Sequence, residues 1–214
     1  MVAEPYYAML EGWHLQEALN YFYLVCALKK RGVISPSALS VPAYAKIMSC
    51  VVEFDDFFSA YGKVDDVAGF CHASVNSYGD RYHTYDVSLP LWQYRYKRLS
   101  EVVCVANISY EGAAPTIESL GGPLSGVSYE LLSEGFAQAA VFWVDYACRV
   151  GDGERFDIIS TAKPSHRQIV RKLDKPIVIT EADLIAGAVF HCRASFGDDP
   201  SGIEGHSFTF KYCG

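Results

Sequence analysis

Residues 128–150 read Ser-Tyr-Glu-Leu-Leu-Ser-Glu-Gly-Phe-Ala-Gln-Ala-Ala-Val-Phe-Trp-Val-Asp-Tyr-Ala-Cys-Arg-Val, and the secondary structure of this stretch decides the class of fold. Ser128 is a favourable residue for the start of a helix, and Gly151 follows the stretch. The spacing of the apolar residues predicts a long amphipathic helix that ends before Gly151. These residues recur at steps of three and four: Leu132, Phe136, Ala139, Ala140, Trp143 and Ala147.

Two further stretches with helical spacing lie nearer the N-terminus. Residues 15–31 have one apolar stripe and end in three cations before Gly32, which is typical of the end of a helix. Residues 40–62 begin with a serine cap and an early proline and then keep helical spacing. We therefore predict three long helices in a single domain over residues 1–214, in which residues 1–62 can form a helical N-terminal subregion.

Alternation of apolar and polar residues, which is typical of strands, occurs in the remaining parts of the chain. Residues 91–98 alternate rings with polar side chains, and residues 101–108 form an apolar, largely β-branched run. Residues 207–213 also alternate, and they can pair with a strand that begins near Gly187. Residues 181–192 fit either a helix or a strand. The predicted fold class is α+β, with three long amphipathic helices, a small mixed or antiparallel sheet and a C-terminal hairpin.

Charge and hydropathy patterns exclude several classes of protein. The 214-residue chain has a formal charge of −7 and no block of like charge, so we expect no basic arm for phosphate binding. The segment Met1-Val-Ala-Glu4 carries an acid where a secretory signal peptide needs basic residues. The longest apolar run, Tyr21 to Leu28, is too short to span a bilayer. We therefore expect a cytoplasmic or virion protein, not secreted through a signal peptide, with no membrane partner.

Cysteine and histidine neighbours are the candidates for site chemistry. The seven cysteines are scattered without a Cys-x-x-Cys pair, which is typical of free thiols. The pairs Cys71-His72 and His191-Cys192 supply metal-ligand types, but adjacent strand residues point to opposite faces, so we expect no metal site and no cofactor. A hydrolase alternative would use Cys71 as nucleophile and His72 as base. No complete set of catalytic residues surrounds them in the sequence. The sequence therefore favours a non-enzymatic protein.

The densest aromatic and basic stretch covers residues 76–98, with four cations and two acids. In a strand of period two, its rings would share one face and form a subunit interface: Trp92, Tyr94 and Tyr96. The cations would be free to contact nucleic acid or another charged partner: Arg81, Arg95, Lys97 and Arg98. Rings interleaved with cations are typical of single-stranded nucleic-acid platforms. The strand period would, however, place Arg95 and Lys97 on the face opposite the rings. We therefore favour an aromatic face that packs against a core or a neighbouring subunit, with a solvated basic face, over nucleic-acid contact.

These features favour a function carried by surfaces. Aromatic residues make up 14% of the chain, which is more ring surface than its core readily absorbs. We expect a non-enzymatic, self-assembling homo-oligomer, such as a viral coat or other protein-shell subunit. The Cys71 hydrolase and a monomeric protein-binding adaptor are the alternatives. No motif identifies a known family.

Overall fold

A computed structural model describes residues 1–5, 14–57, 64–79, 86–119, 126–151, 155–164, 166–196 and 206–214. Strands account for 51% and helices for 19% of the residues in these ranges, so the architecture is mostly β. The predicted α+β domain with three long helices and a small sheet is therefore wrong. No helix in the described part of the chain is long and apolar enough to cross a membrane.

The elements follow one another along the chain as α1 (His14–Lys30), β1 (Tyr44–Phe54), β2 (Asp66–Val67), β3 (Phe70–Cys71), α2 (Ala73–Gly79), β4 (Val87–Leu89), a 3₁₀ turn (Leu91–Gln93), β5 (Tyr96–Arg98), β6 (Val103–Ser109), β7 (Ile117–Ser119), β8 (Val127–Glu130), β9 (Gly135–Val150), β10 (Arg155–Ser160), β11 (Gln168–Ile179), α3 (Glu181–Ala186), β12 (Val189–Phe196) and β13 (His206–Cys213). The main sheet has the order β4–β11–β9–β1–β6–β7, with β10 on β9 and β5 on β1. A second sheet has the order β13–β12–β8, and β2 pairs with β3.

The stretch 128–150 forms strands β8 and β9 in place of the predicted helix. Strand β9 pairs with β1 along one edge and with β10 and β11 along the other. Phe142 and Val144 on one face and Val141 on the other are all buried. A strand that is covered on both faces has a nearly continuous apolar sequence without clear alternation, and its residues then also match a helical stripe. This double burial is the reason the helix prediction is wrong.

Strand β1 replaces the second predicted helix for the same reason. Ile47 and Val51 are buried on one face, whereas Cys50 and Val52 are buried on the other. The end of that predicted helix, residues 58–62, lies outside the described residues. The first predicted helix is confirmed as α1, which carries Lys29 and Lys30 in its last turn.

Two hydrophobic cores cover the two faces of the main sheet. The larger core packs Leu15 and Leu19 of α1 and Phe190 of the second sheet against Ile47 and Phe142. The smaller core lies on the opposite face of β1 and β9, with these members: Cys50, Val52, Phe54, Phe57, Leu89, Leu91, Ala139, Val141 and Val170. Each fully buried large apolar side chain stabilises the fold by about 1.5–3 kcal/mol.

The C-terminal region contains both of the alternatives left open for residues 181–192. Thr180 and Asp183 form a capping box at the start of α3, and Gly187 ends the helix at φ 72°, a left-handed conformation that glycine adopts without strain. Strand β12 then pairs with β13 in register from Val189 opposite Cys213 to Phe196 opposite His206. The predicted C-terminal hairpin is therefore present.

All seven cysteines are free thiols, and two of them lie deep in the cores. Cys50 is buried in the smaller core, and Cys192 is buried in the larger core. Burial raises the pKa of each of these thiols to about 12. Cys71 in β3 is exposed.

Arg171 and Asp86 form a two-bond ion pair that ties β11 to the segment before β4. The Arg171 Nε and Nη2 atoms donate to Asp86 Oδ1 and Oδ2, and Nη1 donates to the Phe208 carbonyl at 2.8 Å. The side chains of Arg171 and Asp86 are only 18% and 4% exposed. Removing one partner would therefore leave a largely buried charge without its counter-ion.

We expect Asp86→Ala to lower the free energy of unfolding by about 3–5 kcal/mol, measured by urea denaturation. Asp157→Ala is the matched control, because the Arg155–Asp157 pair is 78% and 56% exposed. An exposed pair contributes less than about 1 kcal/mol. Equal losses in the two variants would contradict the structural role of the Arg171–Asp86 pair.

Thiol labelling with iodoacetamide at pH 8 tests the burial of the cysteines. A thiol of pKa about 12 is ionised in only about one molecule in ten thousand at this pH. We expect mass spectrometry to find Cys71 labelled in the folded protein while Cys50 and Cys192 stay unmodified, and to find all three labelled in urea. Labelling of Cys192 as fast as Cys71 without urea would show that the larger core is not closed.

Candidate binding cleft

The segment 91–98 is not the uninterrupted strand that its alternation predicts. Residues Leu91–Gln93 form a 3₁₀ turn after Pro90, and only Tyr96–Arg98 form a strand. This short strand, β5, pairs with the end of β1, with Arg98 opposite Val52 and Tyr96 opposite Phe54. Alternate side chains of β5 therefore point to opposite faces, one of them the face of the smaller core.

The three rings predicted to share one face have different surroundings. Trp92 is 47% exposed at the 3₁₀ turn. Tyr94 packs against the smaller core, with its ring edge-on to Phe57 at 5.2 Å. Tyr96 is 44% exposed, and its ring centroid lies 6.0 Å from that of Phe54. A single aromatic face does not form, and the role of these rings at a subunit interface stays a prediction.

The candidate cations also separate. Arg95 is exposed, and the Lys97 Nζ atom donates to the Glu134 carbonyl at 2.6 Å. Arg98 lies two residues after Tyr96, so the two side chains share one face of β5. Arg81 lies outside the described residues. The structure thus brings one predicted cation, Arg98, together with one predicted ring, Tyr96.

Arg98 and Tyr96 line a cleft of about 400 Å³ on the smaller-core face of the main sheet. The pairing of β1, β9 and β11 builds its floor, because Cys50 lies opposite Val141, and Val141 lies opposite Val170. Four strands, two loop positions and the 3₁₀ turn contribute its lining: Cys50, Leu91, Tyr96, Arg98, Val102, Val141, Trp143, Ala162 and Gln168. We call this space the Trp143 cleft.

Arg98 is the one charged residue among the described residues that line the Trp143 cleft. In the described ranges no carboxylate forms an ion pair with its guanidinium. The Cys50 thiol does not neutralise it, since burial raises the pKa of that thiol to about 12 despite the nearby Arg98. Burial also raises the pKa of the Tyr96 hydroxyl. At neutral pH the described lining of the cleft therefore combines one positive charge with otherwise uncharged, mostly apolar side chains.

Gln168 fixes one rim of the Trp143 cleft. Its Nε2 atom donates to the Thr161 carbonyl at 2.6 Å and to the His166 carbonyl at 2.9 Å. The side chain is buried, so these bonds hold the turn that carries Ala162 against the sheet. Sequence reasoning missed Gln168 and assigned Trp143 to a helix stripe. Burial of β9 on both faces removes the alternation, so the local sequence carries no signal that places Trp143 on a strand face.

The candidate hydrolase residues lie in a separate part of the molecule. Cys71 is exposed in β3, and the His72 Nδ1 atom is 3.0 Å from the Phe70 carbonyl oxygen. The other pair behaves as strand geometry predicts: Cys192 is fully buried, and the His191 Nδ1 atom faces the Ser128 hydroxyl at 2.9 Å. The two Cys-His pairs do not form a common site.

Residues 64–79 form a compact unit of β2, β3 and α2, which we call the hairpin unit. Asn76 closes it, since its side chain bonds to both the N–H and the carbonyl of Val64. None of its described residues belongs to either hydrophobic core. Its apolar side chains are instead exposed: Val64, Val67, Phe70, Val75 and Tyr78. The hairpin unit thus presents apolar surface to solvent.

No family model matches this chain, and no curated protein does. Among solved structures, it is similar to a chain of the Trypanosoma brucei PRMT1 enzyme–prozyme heterotetrameric complex with AdoHcy, with a TM-score of 0.62 and 15% identity. That similarity covers 92% of this chain and 61% of the other. Structures of PRMT6, with and without SAH, give TM-scores of 0.38 and 0.40 at 14% and 15% identity, over 96% of this chain and 63% of theirs.

At this level of identity the similarity concerns the fold. The chain spans 61% of the length of the matched chain, so it shares the fold of part of a protein arginine methyltransferase subunit. The predicted viral coat or protein-shell subunit is wrong, because the matched fold belongs to a methyltransferase complex. The aromatic surplus that suggested shell contacts is explained in part by the larger core, which buries Tyr110, Tyr129, Tyr146 and Phe142.

Proposed function

We propose that this chain is the β domain of a protein arginine methyltransferase and works in an assembly with a domain that binds S-adenosylmethionine. One observation carries this proposal: the fold matches 92% of the chain to part of a subunit in an enzyme–prozyme complex with AdoHcy. In the proposed reaction, the methyl group passes from the sulfonium sulfur of S-adenosylmethionine to a guanidino nitrogen of a protein arginine. S-adenosylhomocysteine and one proton are released.

The described architecture supports a cofactor site on a domain other than this one. Every ladder of the main sheet is antiparallel in the ranges that the structure describes. Nucleotide cofactors typically bind at the carboxyl ends of parallel strands, beside a glycine-rich turn and a helix N-terminus. We therefore assign the cofactor to a domain other than this β domain, on the same protein or on a partner subunit.

The hairpin unit supports the assembly part of the proposal. It leaves the main sheet after β1 and returns through β4, and its apolar residues face solvent. Clustered exposed apolar side chains typically mark protein–protein contacts. Phe70 is the most exposed of them, at 74%. We propose that the hairpin unit contacts the partner subunit, with Phe70 near the centre of that contact.

The test uses the tagged protein isolated with its natural partners from the cells that produce it. We supply S-adenosylmethionine carrying a tritiated methyl group and an arginine-containing peptide, and we expect label on arginine. The same peptide with lysine in place of arginine is the control and should stay unlabelled. A complex that binds no S-adenosylmethionine and methylates no arginine would contradict the proposed function.

Phe70→Asp tests the proposed contact in the same preparation. A buried carboxylate without a partner opposes association. We therefore expect the variant to lose binding to the partner subunit and its rate of methyl transfer to fall at least tenfold. Ile185→Asp is the matched control, because Ile185 is 81% exposed on α3, outside the hairpin unit. Circular dichroism should show both variants folded. Equal partner binding by both would exclude the hairpin unit as the contact.

A further inference from the structure

We propose that the Trp143 cleft binds a carboxylate carried on an aromatic or similarly apolar body, such as an aryl-alkanoate. This inference is independent of the proposed methyl transfer, which requires no anion site on the β domain. It depends on three features of the cleft: a free cation, apolar walls with rings, and a floor that is already formed.

The free cation is Arg98. A guanidinium presents two parallel N–H donors that match the two oxygens of a carboxylate. Arg98 forms no ion pair with a carboxylate in the described part of the chain, and it is exposed to an incoming ligand. With Cys50 protonated, no negative charge among the described lining residues competes for it. The cleft therefore favours a monoanion over a neutral or cationic ligand.

The apolar and aromatic walls favour an apolar body for the part of the ligand beyond its carboxylate. Leu91, Val102 and Val141 provide aliphatic surface, and Trp143 and Tyr96 provide rings. Pockets of about 300–1,000 Å³ with mostly apolar lining and few polar groups are typical of small-molecule sites. At about 400 Å³ the Trp143 cleft is at the small end of that range, which fits one ring and a short chain. Arg98, the one charged group among the described lining residues, fixes the orientation of the ligand.

The floor of the cleft is preformed. Cys50, Val141 and Trp143 lie on the paired strands β1 and β9, and Gln168 is held by two hydrogen bonds to backbone carbonyls. Side chains on paired strands need little reordering when a ligand binds, which lowers the entropic cost of binding. Arg98 lies on the short strand β5 and is exposed, so its side chain is free to reorient toward a ligand.

The experiment uses 4-phenylbutyrate as the probe and its uncharged amide, 4-phenylbutyramide, as the matched ligand. Binding is followed by the fluorescence of Trp143 in a W13F/W92F background, in which Trp143 is the remaining tryptophan. We expect the acid to bind about three- to fivefold more tightly than the amide, because a pair with the exposed Arg98 contributes up to about 1 kcal/mol. Added salt should weaken binding of the acid and not of the amide.

Arg98→Gln should reduce the preference for the acid to less than about twofold, because the charge is lost while the apolar walls remain. Arg193→Gln is the matched control, an exposed arginine on β12 away from the cleft, and it should leave the preference unchanged. Circular dichroism checks that both variants are folded. Equal binding of acid and amide by the parent protein, or an unchanged preference in Arg98→Gln, would overturn the proposal.

A comparison with peptide ligands distinguishes the two sources of such a carboxylate, a protein C-terminus and a small free acid. A tetrapeptide that ends in phenylalanine is compared as the free acid and as the C-terminal amide. Tighter binding of the peptide acid than of 4-phenylbutyrate would identify a protein C-terminus as the ligand. Tighter binding of 4-phenylbutyrate would identify a small free acid. Failure of both acids to bind overturns the inference and leaves the proposed methyl transfer unaffected.

Discussion

The antiparallel pairing of β1 with β9 is the interaction on which the rest of the structure depends. Its nine residue pairs run from Tyr44 opposite Ala147 to Val52 opposite Ala139. Because both strands are covered on both faces, this one ladder supports the larger core on one face and the smaller core on the other. A slip of one residue would exchange the two faces and move Ile47 and Cys50 into each other's surroundings.

The same ladder places the surfaces assigned to function. The floor of the Trp143 cleft consists of residues that face each other across β1 and β9, and β5 brings Arg98 to its rim by pairing with the last residues of β1. The chain then leaves β1 for the hairpin unit and returns to the sheet through β4. The proposed assembly contact therefore follows β1 along the chain, and the proposed anion site is built on β1 and its neighbours in the sheet.

Sequence patterns predicted those elements whose two faces differ. Helix α1 has one buried apolar stripe. In β12 and β13, apolar and polar residues alternate because one face of their sheet packs on the larger core. The patterns failed for β1 and β9, where burial on both faces removes the alternation and alanines such as Ala139 and Ala140 also suit a helix. The candidate site was found in part. Tyr96 and Arg98 stood out as ring and cation, whereas Trp143 and Gln168 depend on strand pairings far apart in sequence.

Nuclear magnetic resonance of the isotopically labelled protein tests the central claim, the β1–β9 ladder, most directly. We expect backbone proton cross-peaks between the strands, at Ser49 with Phe142 and at Val51 with Ala140, together with slow amide exchange along the centre of β9. A helix over residues 128–150 would instead give contacts between residues three and four apart and no cross-peaks to β1. That result would contradict the fold, both cores and the Trp143 cleft together.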